Sequence, residues 1–460
     1  MTARDVAELL WLALGQPDDE PLNAVEITGP AVVLPSLYRV TDVAAASVMA
    51  ATAAALRLSE RPSLRPSLTT TGAAAVFRSE RHIMVQGRRP ALWEPMSGYY
   101  QCADGRWIQL HCNFPHHRAG VVDVLGCPDD PAAVADVLRA EVRASELEDR
   151  LAVAGLCATM ARTPEEWAAH AQGQAVATLP VIEIDRAGAA PPRGLTSPPD
   201  LPLAGVRVLD LTRIIAGPTC GRVLGQYGAQ VLRIGAHHLP TVEACVIDTG
   251  FGKRAAHLDL RSSQDRAVME ELLSDAHVVI DGFRPGGLDS LGYGGERLLT
   301  DHPGLVHVTL SAYGHLGPWS TRRGFDSLTQ TASGIGLAAA RAAGVEGTLP
   351  LPCQALDHGT GWLLAAATMT ALHRQREEGG SWMIRGSLAQ TGHFLTSLGQ
   401  VDHLDHPEPT DSEVAPYLTR SSSSFGELTH VAAQGRLDGR VSYDLPPVPV
   451  GTHPPAWWRQ

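Results

Sequence analysis

Lysine is almost missing from this chain: of 37 basic residues only Lys253 is a lysine, so an imine-forming mechanism has a single candidate. The seven cysteines form no CxxC pair, and their odd number argues against a disulfide framework, so a reducing cytoplasm is the expected compartment. Net charge is −12, which excludes a general attraction to nucleic acid or anionic lipid. Any anionic ligand must therefore meet a local basic pocket. There is no Walker pattern, no GxGxxG after a strand and no GxSxG elbow, which sets aside ATP, dinucleotides and Ser-His-Asp hydrolysis. No run reads as long and apolar enough to span a membrane, and the N-terminus lacks the basic flank of a signal peptide.

What is present is a chain of 460 residues, too long for one core, with an ordinary globular balance of 44% hydrophobic and 19% charged residues. Short Val/Ile/Leu-rich runs at 206–211, 230–234, 277–280 and 305–310 alternate with helical patterns at 219–227, 263–273 and 325–335. That alternation predicts an α/β fold: an open, mostly parallel, doubly wound sheet, Rossmann-like, with a smaller α+β domain beside it. The smaller domain is expected over residues 91–185, where 97–112 reads as a hairpin around Asp104-Gly105 and Thr163 to Glu166 as a capping box. Residues 186–202, rich in Pro, read as a linker; 203–400 as the large domain; 401–460 as a C-terminal arm. Residues 1–90 read as a partial repeat of the large domain's helical segment, because 34–56 resembles 351–372 and each is followed by SLxxTG, at 67–72 and 387–392.

Asp357 is the strongest catalytic candidate, placed just before an apolar helix at 362–372. The positive end of a helix favours an ionised carboxylate, and Gly359 and Gly361 are expected to bring backbone N–H groups close enough to hold an oxyanion. From the residues alone the plainer reading of Asp357 is a helix N-cap, where Asp is common. A basic set, Arg213, Lys253, Arg254, Arg261, Arg284, Arg322 and Arg323, is expected on loops at the carboxyl ends of the strands, where such sheets bind ligands. The cluster from Asp402 to His406 lies in a polar, Pro-flanked stretch and reads as a solvated loop rather than a metal site.

Five strings in order, LAGVRVLDLTRIIAGP (203–218), GAQVLRI (228–234), GKRAAHLDLRS (252–262), VVIDGFRPGGLDSLGYG (278–294) and SAYGHLGPWSTRRGFDSLTQTASG (311–334), resemble the family III CoA-transferases, the group that includes formyl-CoA transferase and the carnitine CoA-transferases. The resemblance implies transfer of coenzyme A from an acyl-CoA to a carboxylic acid through an aspartyl-CoA thioester on Asp357. It implies no permanently bound cofactor, CoA and acyl-CoA serving as substrate, with CoA contacted by Ile214, Ile215, Leu258, Arg261, Phe283 and Tyr313. It also implies a homodimer, or a monomer whose internal repeat stands in for the partner, with neither nucleic acid nor membrane as a partner.

The departures are specific. Gly235 stands where the family usually has Glu, Ser290 where an Arg is frequent, and the order of parts is permuted, with the small domain ahead of the first strand. The α-methylacyl-CoA racemases share the fold, but their His-Asp pair coincides here with Phe325-Asp326, leaving His358 as a substitute. A racemase, another CoA-thioester isomerase or lyase, and a non-catalytic homologous subunit therefore remain alternatives.

Overall fold

The computed structural model describes residues 1–59, 64–194, 201–438 and 443–458. In the smaller domain the expected hairpin forms. Strands β1 (Gly98–Gln101) and β2 (Trp107–Leu110) pair antiparallel, and β3 (Ala158–Met160) joins β2. Gly105 turns the chain at φ +74°, a conformation that costs glycine little. Three helices, Pro115–Leu125, Pro131–Glu141 and Ala144–Val153, bury Val121, Leu138 and Leu147 against Ile108 and Leu110 of the sheet. Thr163 and Glu166 cap helix Pro164–Ala169 reciprocally, as their spacing predicts.

The large sheet has seven strands: β4 (Glu183–Gly188), β5 (Arg207–Asp210), β6 (Gln230–Gly235), β7 (Lys253–His257), β8 (Val278–Asp281), β9 (Val306–Ser311) and β10 (Ser381–Ser387). Their order is β7-β6-β5-β8-β9-β10-β4, parallel throughout except for β4 at the edge. The fold is thus an open, mostly parallel α/β sheet with a smaller domain beside it. All four apolar runs singled out in the sequence are strands of this sheet. The stretch read as a linker differs at its start: residues 186–188 belong to β4, held by backbone pairing to β10, and residues 195–200 lie outside the described residues.

Six helices position the site: α1 (Val40–Leu58), α2 (Ser79–His82), α3 (Ala216–Gln226), α4 (Asp326–Ala332), α5 (Ala355–Glu378) and α6 (Leu388–Ser397). Contrary to expectation, α1 is long and apolar enough to cross a membrane by length and composition, but most of it is buried inside the protein. Its alanines 44–46, 50, 51 and 53–55 pack in the same core as Leu363, Ala366 and Met369 of α5. Small side chains on facing helices let the axes approach closely, so α1 is an interior helix of this fold. Both SLxxTG strings mark a strand running into a helix: Pro66–Thr69 leads into Thr70–Val76, and β10 leads into α6.

Lys253 lies inside the sheet rather than on a ligand loop. Its buried Nζ donates to Asp210 Oδ2 and to the Pro218 carbonyl, each at 2.7 Å. The other Asp210 oxygen accepts the Thr212 N–H at 3.0 Å and its hydroxyl. One ion pair therefore joins β7, β5 and the first turn of α3, and fixes the loop that follows β5. The added hydrogen bonds from Thr212 and to the Pro218 carbonyl help offset the cost of burying the two charges.

Candidate active site

Helix α5 begins at Ala355, seven residues earlier than the apolar pattern suggests, so Asp357 lies inside its first turn. Gln354 precedes the helix and gives it no side-chain cap. The orphan N–H groups of Leu356 and Asp357 donate instead to Asp326 Oδ2, each at 2.8 Å, and a side-chain bond from Gln330 holds the same carboxylate. Asp357 is consequently not the cap of its own helix. Asp357 is 7% exposed.

Burial raises the proton affinity of Asp357 well above the usual aspartate range, and the nearby carboxylates of Asp326 and Glu80 push it further the same way. This overturns the expectation that the helix start keeps it readily ionised, because desolvation and two like charges oppose the helix end. The oxyanion expectation fails too. Gly359 and Gly361 are the fifth and seventh residues of α5, where backbone N–H groups point along the helix to earlier carbonyls. Their lack of a side chain serves packing: a Cβ on Gly361 would lie 2.5 Å from the Ala216 carbonyl of α3, and one on Gly359 would lie 3.1 Å from Thr391 Cγ2 of α6.

Asp357 stands between two cavities. A cleft of about 640 Å³ opens along the carboxyl ends of the parallel strands. Arg213 and Ile214 reach it from the loop after β5, Phe283 and Arg284 from the loop after β8, and Arg322 and Arg323 from the segment before α4. The smaller domain supplies the facing wall, with Phe114, His116, His117 and Cys157. A smaller chamber of about 50 Å³ lies on the other side, among Glu80, Arg81, Trp93, His111, Phe325 and Gln354. Asp357, Ile214 and Phe325 border both.

Ile214 has φ +75°, a left-handed conformation that is strained for a β-branched residue. The anchored Asp210 turn next to it holds the loop there.

The sequence-predicted residues divide. Ile214 and Phe283 line the cleft and Ile215 the chamber. Leu258 is buried in the core behind the sheet, and Tyr313 is buried with its hydroxyl 3.3 Å from Thr159 Oγ1, so neither reaches the cleft. Arg261 is exposed and lies one layer back: it pairs with Asp259 and sits 2.9 Å from His238, which lines the cleft. Of the basic set, Arg213, Arg284, Arg322 and Arg323 converge there, whereas Arg254 stacks over the Trp458 ring at 4.5 Å.

Sequence reasoning missed the contribution of residues 79–111. Glu80 Oε2 lies 2.9 Å from His358 Nε2, which ties that ring to α2. Burial raises the proton affinity of Glu80, yet His358 and Arg81 outweigh it and keep the carboxylate below its usual range. His111 stacks on Phe325 with ring centroids 3.8 Å apart, and burial followed by the charge of His117 lowers it to about 3, so this imidazole is neutral. The available signal was the string Ser79-Glu80-Arg81-His82, a charged turn close behind an apolar helix.

The fold and site define an α/β protein whose parallel strand ends form a cleft lined by four arginines and by a buried aspartate. The chain belongs to the CoA-transferase family III, whose family model matches residues 36–192 and 203–416. It is 34% identical over 211 residues to an acetyl-coenzyme A transferase of Hypoxylon pulicicidum, covering 45% of this chain and 36% of that protein. It is 30% identical over 323 residues to an acyl-CoA transferase of Gibberella moniliformis, covering 65% and 56%. A crystal structure of a Mycobacterium tuberculosis protein, Rv3272, is 30% identical and superposes with a TM-score of 0.41 over 44% of this chain and 57% of that one. The chain spans roughly a third to a little over half the length of these relatives.

Proposed function

We propose that the protein transfers coenzyme A between carboxylic acids, with Asp357 as covalent nucleophile. The observation that carries this reading is the position of Asp357: it is buried and lines both the basic cleft and the chamber. An acyl-CoA lying in the cleft would bring its phosphates to the arginines and its thioester to Asp357.

The Asp357 oxygen attacks the thioester carbonyl carbon, the C–S bond breaks, and sulfur leaves as the CoA thiolate, giving an acyl-aspartyl anhydride. The thiolate then attacks the aspartyl carbonyl carbon and expels the donor acid as its carboxylate, leaving an aspartyl-CoA thioester. An acceptor carboxylate runs the two steps in reverse and restores the Asp357 carboxylate. No net proton is consumed. With Gly359 and Gly361 inside the helix, the Ser327 hydroxyl, which has no hydrogen-bond partner among the described residues, and the Gln354 amide are the proposed oxyanion donors, since both residues border the chamber. The burial of Asp357 supports protection of the anhydride from water.

The same-chain small domain already faces the cleft, and α1 already packs on α5. Both support a monomer as the active unit, in which residues 36–192 play the part of a partner. A racemase needs two opposed acid-base groups, and the pairing of His358 with Glu80 speaks against that role.

Incubation with acyl-CoA followed by intact-mass measurement tests the reading. A CoA-sized adduct lost in Asp357→Ala supports transfer. Stereochemical scrambling without an adduct overturns it in favour of the racemase, and neither signal leaves a non-catalytic subunit.

A further inference from the structure

Arg233 lies near the carboxyl end of β6, is 5% exposed, and makes no side-chain hydrogen bond to any described residue. Burial disfavours its charged form, and the negative charge of Asp210 only partly opposes this. A guanidinium does not surrender its proton in a protein, so the charge stays and calls for a counter-charge. Asp210 is already engaged at both oxygens, one accepting from Lys253 Nζ at 2.7 Å and the other from the Thr212 N–H at 3.0 Å. Lys253 and Arg213 stand within electrostatic reach of Arg233 and add positive charge to it. Arg222, farther along the same face, is matched by its own carboxylate, Asp248. The ends of β5 and β6 therefore hold more buried positive charge than Asp210 balances.

A cavity of about 20 Å³ opens at that place, bordered by both Arg213 and Arg233. Thr212, Thr241, His257 and Val450 contribute to the rest of its wall, and no Asp or Glu lines it. Gly235 follows Arg233 on the same face of β6 and brings no side chain. A Cβ there would lie 2.6 Å from Val450 Cγ1, so the C-terminal arm closes the spot from which β6 could have supplied an acid. The volume admits roughly one water-sized particle. Phosphate, sulfate and organic acids are too large for it.

We infer that this cavity is a binding site for one monatomic anion, chloride, held between Arg233 and Arg213. The ion supplies the counter-charge that Asp210 does not, and its occupancy ties the ends of β5 and β6 together beneath the C-terminal arm. Arg213 also lines the large cleft, so the ion sits behind one wall of that cleft without entering it. The inference stands apart from whatever reaction the cleft carries out.

Thermal unfolding of the full chain tests it, at fixed pH and ionic strength, with sodium gluconate replaced stepwise by sodium chloride; gluconate is too large for the cavity. The expected result is a saturable rise in Tm of about 2–4 °C when chloride exceeds half-saturation 100-fold. Bromide should reproduce the rise, and crystals grown in bromide should give an anomalous scattering peak beside Arg233. Arg233→Gln removes the charge and should abolish the chloride-specific rise. Should that variant fail to fold, Val450→Asp decides the matter: its carboxylate on the cavity wall replaces the ion, so the protein should fold without chloride and show no rise. Coincident chloride and gluconate series overturn the inference and leave the cavity to water. A bromide peak with no effect in solution marks an adventitious ion only and overturns it equally. A rise that survives in either variant places the halide elsewhere and also overturns it.

Discussion

Asp326 Oδ2 accepts the backbone N–H of Asp357 at 2.8 Å, so the residue proposed to attack is held in place by another carboxylate from a different helix. The arrangement explains two properties at once. It fixes the start of α5 without a local cap, and it places a negative charge next to the nucleophile, which raises the latter's proton affinity.

Asp326→Asn retains an acceptor for the two N–H groups and removes the like charge, so the protein should stay folded with the titration of Asp357 shifted toward the ordinary range. Asp326→Ala removes both, and should cost about 1–2 kcal/mol of stability, as loss of a helix cap does. Denaturant unfolding of the two variants distinguishes the cap from the charge.

Adduct formation should rise with pH through a limb displaced above the usual aspartate range. The sign follows from the raised affinity: below the shifted pKa the carboxyl stays protonated and cannot attack. Rate against pH for the wild type shows this limb, and Asp326→Asn should move it to lower pH.

Asp357→Asn should abolish the adduct and stabilise the fold near neutral pH. A carboxyl whose folded pKa is raised binds more protons in the native than in the unfolded state between the two values, so stability falls as pH rises through that window. The uncharged amide does not titrate. Thermal melts should show the variant ahead of wild type at pH 7 by roughly 1–2 °C, with the gap closing in acid below the ordinary aspartate value.

Gly361→Ala should destabilise by about 2 kcal/mol or more, since the new Cβ meets a backbone carbonyl at 2.5 Å that cannot swing aside. Gly359→Ala, facing a side-chain methyl at 3.1 Å, should be milder. Both variants keep their N–H groups, so activity per folded molecule should persist. Chemical unfolding and adduct rate measured on the same samples test both statements.

Arg323→Ala should raise KM for acyl-CoA about tenfold, with a smaller salt dependence than wild type, because the guanidinium borders the cleft without a described partner. KM across a salt series reads this directly.

Four of the six parallel strands, β5, β6, β8 and β9, were legible because buried strands are short and apolar, and Asp357 because it carries a charge in an otherwise apolar stretch. Strands β4, β7 and β10 were not: β4 is half-exposed and follows the small domain, β7 opens on Lys253 and Arg254, and β10 contains Arg385 and Gly386, which break the apolar run. Helix α5 was read too short since Gly359 and Gly361 are poor helix formers, whereas the close pass of α3 calls for a small residue at 361. Asp326 was visible only as part of a family string. Its reach to residues 356 and 357, like that of Glu80 to His358 across 278 positions, is a tertiary fact with no local signature.

The burial of Lys253 has a practical corollary. Its ammonium is enclosed between Asp210 and the Pro218 carbonyl, and no second lysine exists in these 460 residues. Amine-directed reagents, whether crosslinkers, fluorescent esters or acetyl donors, therefore find no ε-amino handle on the folded molecule. Any such label taken up at residue 253 reports that the sheet has come apart.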